Sequence, residues 1–145
     1  MIGRAITERP DLYKVAIARV GLMNTLRMEF SSNGPANVPE FGTVGIESEF
    51  KSLLEMDSIY HIKNGIQYPA QLITAGINDP RVAYYIPAKF AATMQANSSG
   101  DSPVLLDINY KAGHFGGITQ DEQFEQTAKE YAFFLWQTGY SEFQN

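Results

Sequence analysis

Gln71-Leu72-Ile73-Thr74-Ala75-Gly76-Ile77-Asn78-Asp79-Pro80-Arg81-Val82 reads as a buried strand running into a turn that carries a carboxylate. The apolar run follows Pro69 and stops at Gly76, and residues of this kind punctuate the ends of strands. The pattern recurs downstream. Val104-Leu105-Leu106-Asp107-Ile108-Asn109-Tyr110 follows Pro103 and ends before Gly113. Upstream, Val15-Ala16-Ile17-Ala18-Arg19-Val20 is a third short apolar run. Helical patterns separate the runs. Phe50, Leu53 and Leu54 share one face, and Pro87 opens a stretch with Phe90, Ala91 and Met94 on one side. Strands alternating with helices predict an α/β fold of about three parallel strands with flanking helices.

In open sheets of this kind, sites gather beyond the carboxyl ends of the strands. Asp79 comes four residues after Ala75, and His114 comes four after Tyr110, so both are expected at the same edge of the sheet. A carboxylate that accepts from one imidazole nitrogen fixes the tautomer and steadies the cation formed when the other nitrogen takes a proton. Gly113, Gly116 and Gly117 are expected to let the backbone bend so that the ring can reach across. Such a pair serves a nucleophile. In an α/β-hydrolase the order is Ser, then Asp, then His, yet none of the 78 residues upstream of Asp79 forms a Gly-x-Ser-x-Gly turn. Ser31-Ser32-Asn33-Gly34 lacks a leading glycine and a strand before it, and Ser98-Ser99-Gly100 reads as a helix-to-strand linker. Ser58 reads as a capping or packing residue, and His61, beside Tyr60, as structural.

A series of short motifs carries a family resemblance. Gly3-Arg4-Ala5-Ile6-Thr7-Glu8-Arg9-Pro10-Asp11-Leu12 comes first, followed by Pro39-Glu40-Phe41-Gly42, Tyr60-His61 and Tyr68-Pro69-Ala70. Asp79-Pro80-Arg81-Val82, Lys89-Phe90-Ala91-Ala92, Pro103-Val104-Leu105-Leu106, Ala112-Gly113-His114 and Tyr131-Ala132-Phe133 complete it, over nearly the whole chain. In this order they resemble the C-terminal part of the catalytic domain of the prolyl oligopeptidase family of serine peptidases. The resemblance implies an incomplete α/β-hydrolase, with residues 1–145 a single domain and the propeller and first hydrolase strands absent. In such enzymes a Gly-Gly-Ser-x-Gly-Gly turn sits a few residues before the counterpart of Gly3, just beyond the start of this chain at Met1. Asp79 and His114 would be the catalytic acid and base of peptide-bond hydrolysis through an acyl-enzyme, with the serine on a missing segment. The isolated chain is expected to be inactive. Arg81 matches an arginine that binds the substrate backbone near the scissile bond. Its plainer alternative is a salt bridge to Asp79. A tryptophan that stacks on the substrate's proline ring in many relatives has no counterpart here, where Asn37 stands, so strict proline preference does not carry over.

Composition bounds the remaining possibilities. Hydrophobic residues make up 44% and charged residues 19% of the 145, a globular balance. A net charge of −5 without a basic cluster gives no footprint for nucleic acid or an anionic membrane. No apolar run approaches the ~18 residues of a membrane span. Zero cysteines exclude disulfides and thiolate metal sites, and two separated histidines make no metal motif. No cofactor is expected. With no signal peptide at its start, a cytoplasmic location is expected. Residues 31–45, rich in Ser, Asn, Gly and Pro, read as a surface loop. Thr119 and Glu122 stand in capping-box spacing before a last helix with a predicted stripe of Phe124, Ala128, Tyr131, Ala132 and Leu135, stopped by Gly139. The expected partners are a short peptide in the complete enzyme, the missing N-terminal half and further copies of the chain. Self-association would use the Val15–Val20 edge or the helix near Leu22, Leu26 and Phe30. The rival to an enzyme is a non-catalytic module that self-associates or binds a partner.

Overall fold

The computed structural model describes residues 2–117 and 119–144; Met1, where the chain starts, lies outside them. The elements in chain order are α1 (Ile2–Glu8), β1 (Val15–Arg19), α2 (Thr25–Met28), α3 (Gly34–Phe41), α4 (Glu47–Met56), β2 (Ala70–Gly76), α5 (Tyr85–Asn97), β3 (Val104–Asn109) and α6 (Gln120–Thr138). The strands form a parallel sheet in the order β1-β2-β3. The central strand β2 is buried along its whole length, which is why its sequence is continuously apolar rather than alternating.

Period-two alternation sends side chains to two different layers. Ala16 and Ala18 of β1 join Ile73 and Val104 in a core with Ile6 of α1 and Phe90, Ala91 and Met94 of α5. Val15 and Ile17 face the other way, with Ala70 and Leu72, against Phe133 of α6. The result is a helix–sheet–helix sandwich. Phe90 and Met94 are completely buried, and each contributes on the order of 1.5–3 kcal/mol relative to an exposed side chain.

Three expectations change. Residues 34–41 are helical: Pro35 occupies the first turn, where its missing N–H costs nothing, and Gly42 ends the helix at φ 93°. The segment near Leu22, Leu26 and Phe30 contains only a single helical turn, Thr25–Met28, and Phe30 lies beyond it, 65% exposed. In α6 the capping box forms as read and Gly139 adopts the left-handed cap. Its sheet-facing residues, however, are Glu130 and Phe133, while Phe124 and Tyr131 of the predicted stripe are 62% and 66% exposed. Glu130 takes the sheet side because Arg19, on the last residue of β1, donates to both its carboxylate oxygens, with Nε at 2.7 and 2.8 Å. Those hydrogen bonds raise the Arg19 pKa above its ordinary value, against a smaller opposing effect of burial.

Candidate active site

β2 and β3 are neighbours and run in the same direction, so the loops after Gly76 and Asn109 leave the sheet side by side. The backbone ties them together. The Ile77 N–H donates to the Asn109 carbonyl at 3.0 Å, and the Asn78 N–H to the Ala112 carbonyl at 3.1 Å. Asn109 shapes the second loop with its side chain: Oδ1 accepts from the N–H groups of Lys111 at 2.9 Å and Ala112 at 3.1 Å. This is an Asx turn. The loops approach so closely that only glycine fits at the end of β2. A Cβ on Gly76 would lie 2.4 Å from the Gly113 carbonyl oxygen and 2.6 Å from that of Ala112.

This frame sets Asp79 against His114. Oδ1 of Asp79 accepts from the N–H groups of Arg81 at 2.8 Å and Val82 at 2.9 Å, which holds the carboxylate in the turn ahead of α5. Pro80, between Asp79 and Arg81, has no N–H to satisfy. Oδ2 remains for His114, whose Nδ1 lies 2.8 Å away. The Asp79 side chain is 1% exposed and that of His114 21%. A buried carboxylate whose two oxygens both meet donors is held in one orientation. Because an ionised carboxylate can only accept, Nδ1 carries the proton and Nε2 is the basic nitrogen. Among the glycines expected to bend this loop, Gly116 takes a positive φ of 84°. Gly117 lies where a Cβ would meet the Glu122 Cβ at 2.4 Å.

Arg81 is close by but does not pair with Asp79 through its side chain. Its guanidinium lies over the ring of Phe115, 5.1 Å from the centroid, and the same ring meets the His114 imidazole edge-on at 5.1 Å. A cleft of about 790 Å³ opens beside His114, with Arg19, Thr74, Asp107, Gln126 and Lys129 also among its walls. Arg19, Thr74 and Asp107 stand in register across the three strands, so the sheet surface toward α6 turns from apolar to polar as it nears the site.

The remaining candidates lie in structural settings. Ser31 is buried and its hydroxyl donates to the Met28 carbonyl at 2.7 Å. Nε2 of His61 lies 3.1 Å from the Leu54 carbonyl, linking α4 to the loop after it. Asn109 and Phe115 join the site only in the folded chain. The strand-ending Asn109 had a local signal in its turn chemistry, whereas the contacts of Phe115 with Arg81 cross between loops and leave none.

Comparison with known proteins places this geometry in a family. The prolyl oligopeptidase family matches residues 1–141. The prolyl endopeptidase of Elizabethkingia meningoseptica is 30% identical over 140 residues, which cover 96% of this chain and 20% of that one. Among solved structures, a prolyl endopeptidase superposes with a TM-score of 0.88 at 32% identity, over 94% of this chain and 20% of that one. Prolyl oligopeptidase B from Galerina marginata, solved with a 35mer hydrolysis and macrocyclization substrate, superposes with a TM-score of 0.87 at 26% identity, over 95% of this chain and 20% of that one. The chain thus spans about a fifth of the length of these relatives. Its three-stranded parallel sheet with flanking helices is part of an α/β-hydrolase catalytic domain, and the chain belongs to the prolyl oligopeptidase family.

Proposed function

We propose that this chain supplies the acid–base half of a serine peptidase acting on short peptides, with the nucleophile contributed from outside these 145 residues. The observation that carries this reading is the 2.8 Å contact between His114 Nδ1 and the buried Asp79 carboxylate. Asp79 holds the tautomer whose Nε2 is free to accept. As a serine oxygen attacks the peptide carbonyl, Nε2 takes its proton, and Asp79 stabilises the resulting imidazolium. Nε2 then gives that proton to the leaving amine as the C–N bond breaks. The acyl-enzyme is hydrolysed by the same exchange, with water in place of the serine. Arg81 offers guanidinium donors to a substrate backbone carbonyl. A relative's structure with a 35mer bound supports a peptide substrate.

The purified chain is expected neither to cleave small ester or peptide substrates nor to react with a fluorophosphonate probe. Without its nucleophile a triad loses about as much as when all three members are removed. Adding a polypeptide that carries the upstream half should restore esterase activity. Stoichiometric labelling of a serine in the chain alone, lost on His114→Ala, would overturn the division of labour.

The open edge of β1 favours a second reading, self-association. Val20 donates to Thr74 and Lys14 accepts from Ala70, so the backbone groups of Val15, Ile17 and Arg19 turn away from β2. Beside them Ile17, Tyr131 and Phe134 line a shallow hollow of about 250 Å³. An apolar edge strand is a template for pairing, and a two-fold dimer is the commonest closed arrangement. Light scattering is expected to give a mass above 16.2 kDa. A folded monomer in dilute solution would count against self-association.

A further inference from the structure

Phe115 follows His114 directly and is 78% exposed, yet its ring has two defined neighbours. The Arg81 guanidinium lies over it at 5.1 Å, and the His114 imidazole meets it edge-to-face, with an interplanar angle of 82°. Asp79 is not the group that holds this arginine. Its Oδ1 is taken by two backbone N–H groups and its Oδ2 by His114. Among the described residues no ion pair links Arg81 to a carboxylate.

The geometry points to Phe115 as a positioning and specificity-determining residue of the site. It holds Arg81 beside His114, and its exposed ring forms an apolar wall for the peptide residue next to the scissile bond. The inference rests on Arg81 as a peptide-binding residue and adds what steadies it. A guanidinium on a free stem gives up rotamer freedom when it takes an acceptor. Settling it beforehand over the electron-rich face of a ring lowers that cost at binding. A guanidinium set over a ring face still has N–H donors that do not point at the ring and can reach a carbonyl. The peptide selected would present a backbone carbonyl to Arg81 and an apolar side chain to Phe115.

The test uses the 145-residue chain with ¹⁵N labelling and an N-acetylated, C-amidated tetra-alanine peptide as probe. In the unliganded chain the Arg81 Nε–H proton is expected to show an upfield ring-current shift, kept in Phe115→Trp and lost in Phe115→Leu. Leucine preserves apolar bulk and removes the π face. Peptide titration should give a Kd about two- to five-fold higher for Phe115→Leu, the scale of an exposed cation–π contact, and a Kd for Phe115→Trp no weaker than that of the parent. In an Arg81→Ala background the dependence on residue 115 should shrink to the apolar contribution, with Leu and Phe nearly equal. Equal affinity of the parent and Phe115→Leu, an unchanged effect without Arg81, or no saturable binding by the parent overturns the inference. Adding the upstream half and assaying turnover separates the two ideas: binding as described without turnover refutes the peptidase reading and leaves the role of Phe115 standing.

Discussion

Asp79→Asn, in the chain combined with a polypeptide carrying the nucleophile, should lower kcat by about 10⁴-fold, the scale of losing the correct imidazole tautomer. The size of the effect follows from what holds the side chain. Two backbone N–H groups, from Arg81 and Val82, converge on Oδ1 and need an acceptor there. An asparagine keeps its oxygen at that position, since turning the amide over would set donors against donors. Its NH₂ group then occupies the place of Oδ2, 2.8 Å from Nδ1 of His114. A donor there obliges Nδ1 to accept, so the proton moves to Nε2 and the ring can no longer take one from a serine. The substitution is nearly isosteric and keeps both backbone hydrogen bonds, so the chain should still fold. Imidazole ¹⁵N shifts of the chain alone should show the Nδ1–H form in the parent and the Nε2–H form in Asp79→Asn. An unchanged tautomer, or kcat within tenfold of the parent, would remove Asp79 from the mechanism.

The strands were legible because each is a short apolar run closed by proline or glycine, and the order of loops at their ends put Asp79 and His114 on one edge. The apolar runs overshoot the strands by one residue at two places. Val20 leaves the strand at a positive φ of 42°, and Tyr110 lies inside the turn that the Asn109 side chain closes. The α6 capping box was legible because it is a contact between neighbours in sequence. Which side of α6 meets the sheet was not. Apolar residues stand on more than one of its faces, and the choice depends on Arg19, 111 residues from Glu130. Phe115 shows the same limit at the site. The residue before it was identified from its place after a strand, but the guanidinium over its ring comes from the other loop. The fold lies in periodicity and punctuation, whereas what crosses between loops depends on packing.

Gly76→Ala should separate Asp79 from His114 without touching either residue. The added Cβ would lie 2.4 Å from the carbonyl oxygen of Gly113, 2.6 Å from that of Ala112 and 2.9 Å from the Ala112 carbonyl carbon. All three atoms are backbone, so no side-chain rotation relieves the contact. One of the loops must move. The first bond at risk is from Asn78 N–H to the Ala112 carbonyl, which ties the Asp79 turn to the His114 loop. Overpacking of this kind costs about 1–3 kcal/mol, a fall in Tm of about 3–10 °C for a chain of this size. The effect on activity is larger, because a displacement of ~1 Å at a catalytic group costs on the order of 10²-fold. Gly113→Ala provides the comparison. A Cβ there would lie an ordinary 3.7 Å from the Asn78 carbonyl oxygen, so that variant should lose less than about 1 kcal/mol. Proton spectra of the chain alone should carry a downfield His114 Nδ1–H signal that survives in Gly113→Ala and vanishes in Gly76→Ala. If the two alanine variants behave alike in both melting and spectrum, the close approach at Gly76 does not set the distance between Asp79 and His114.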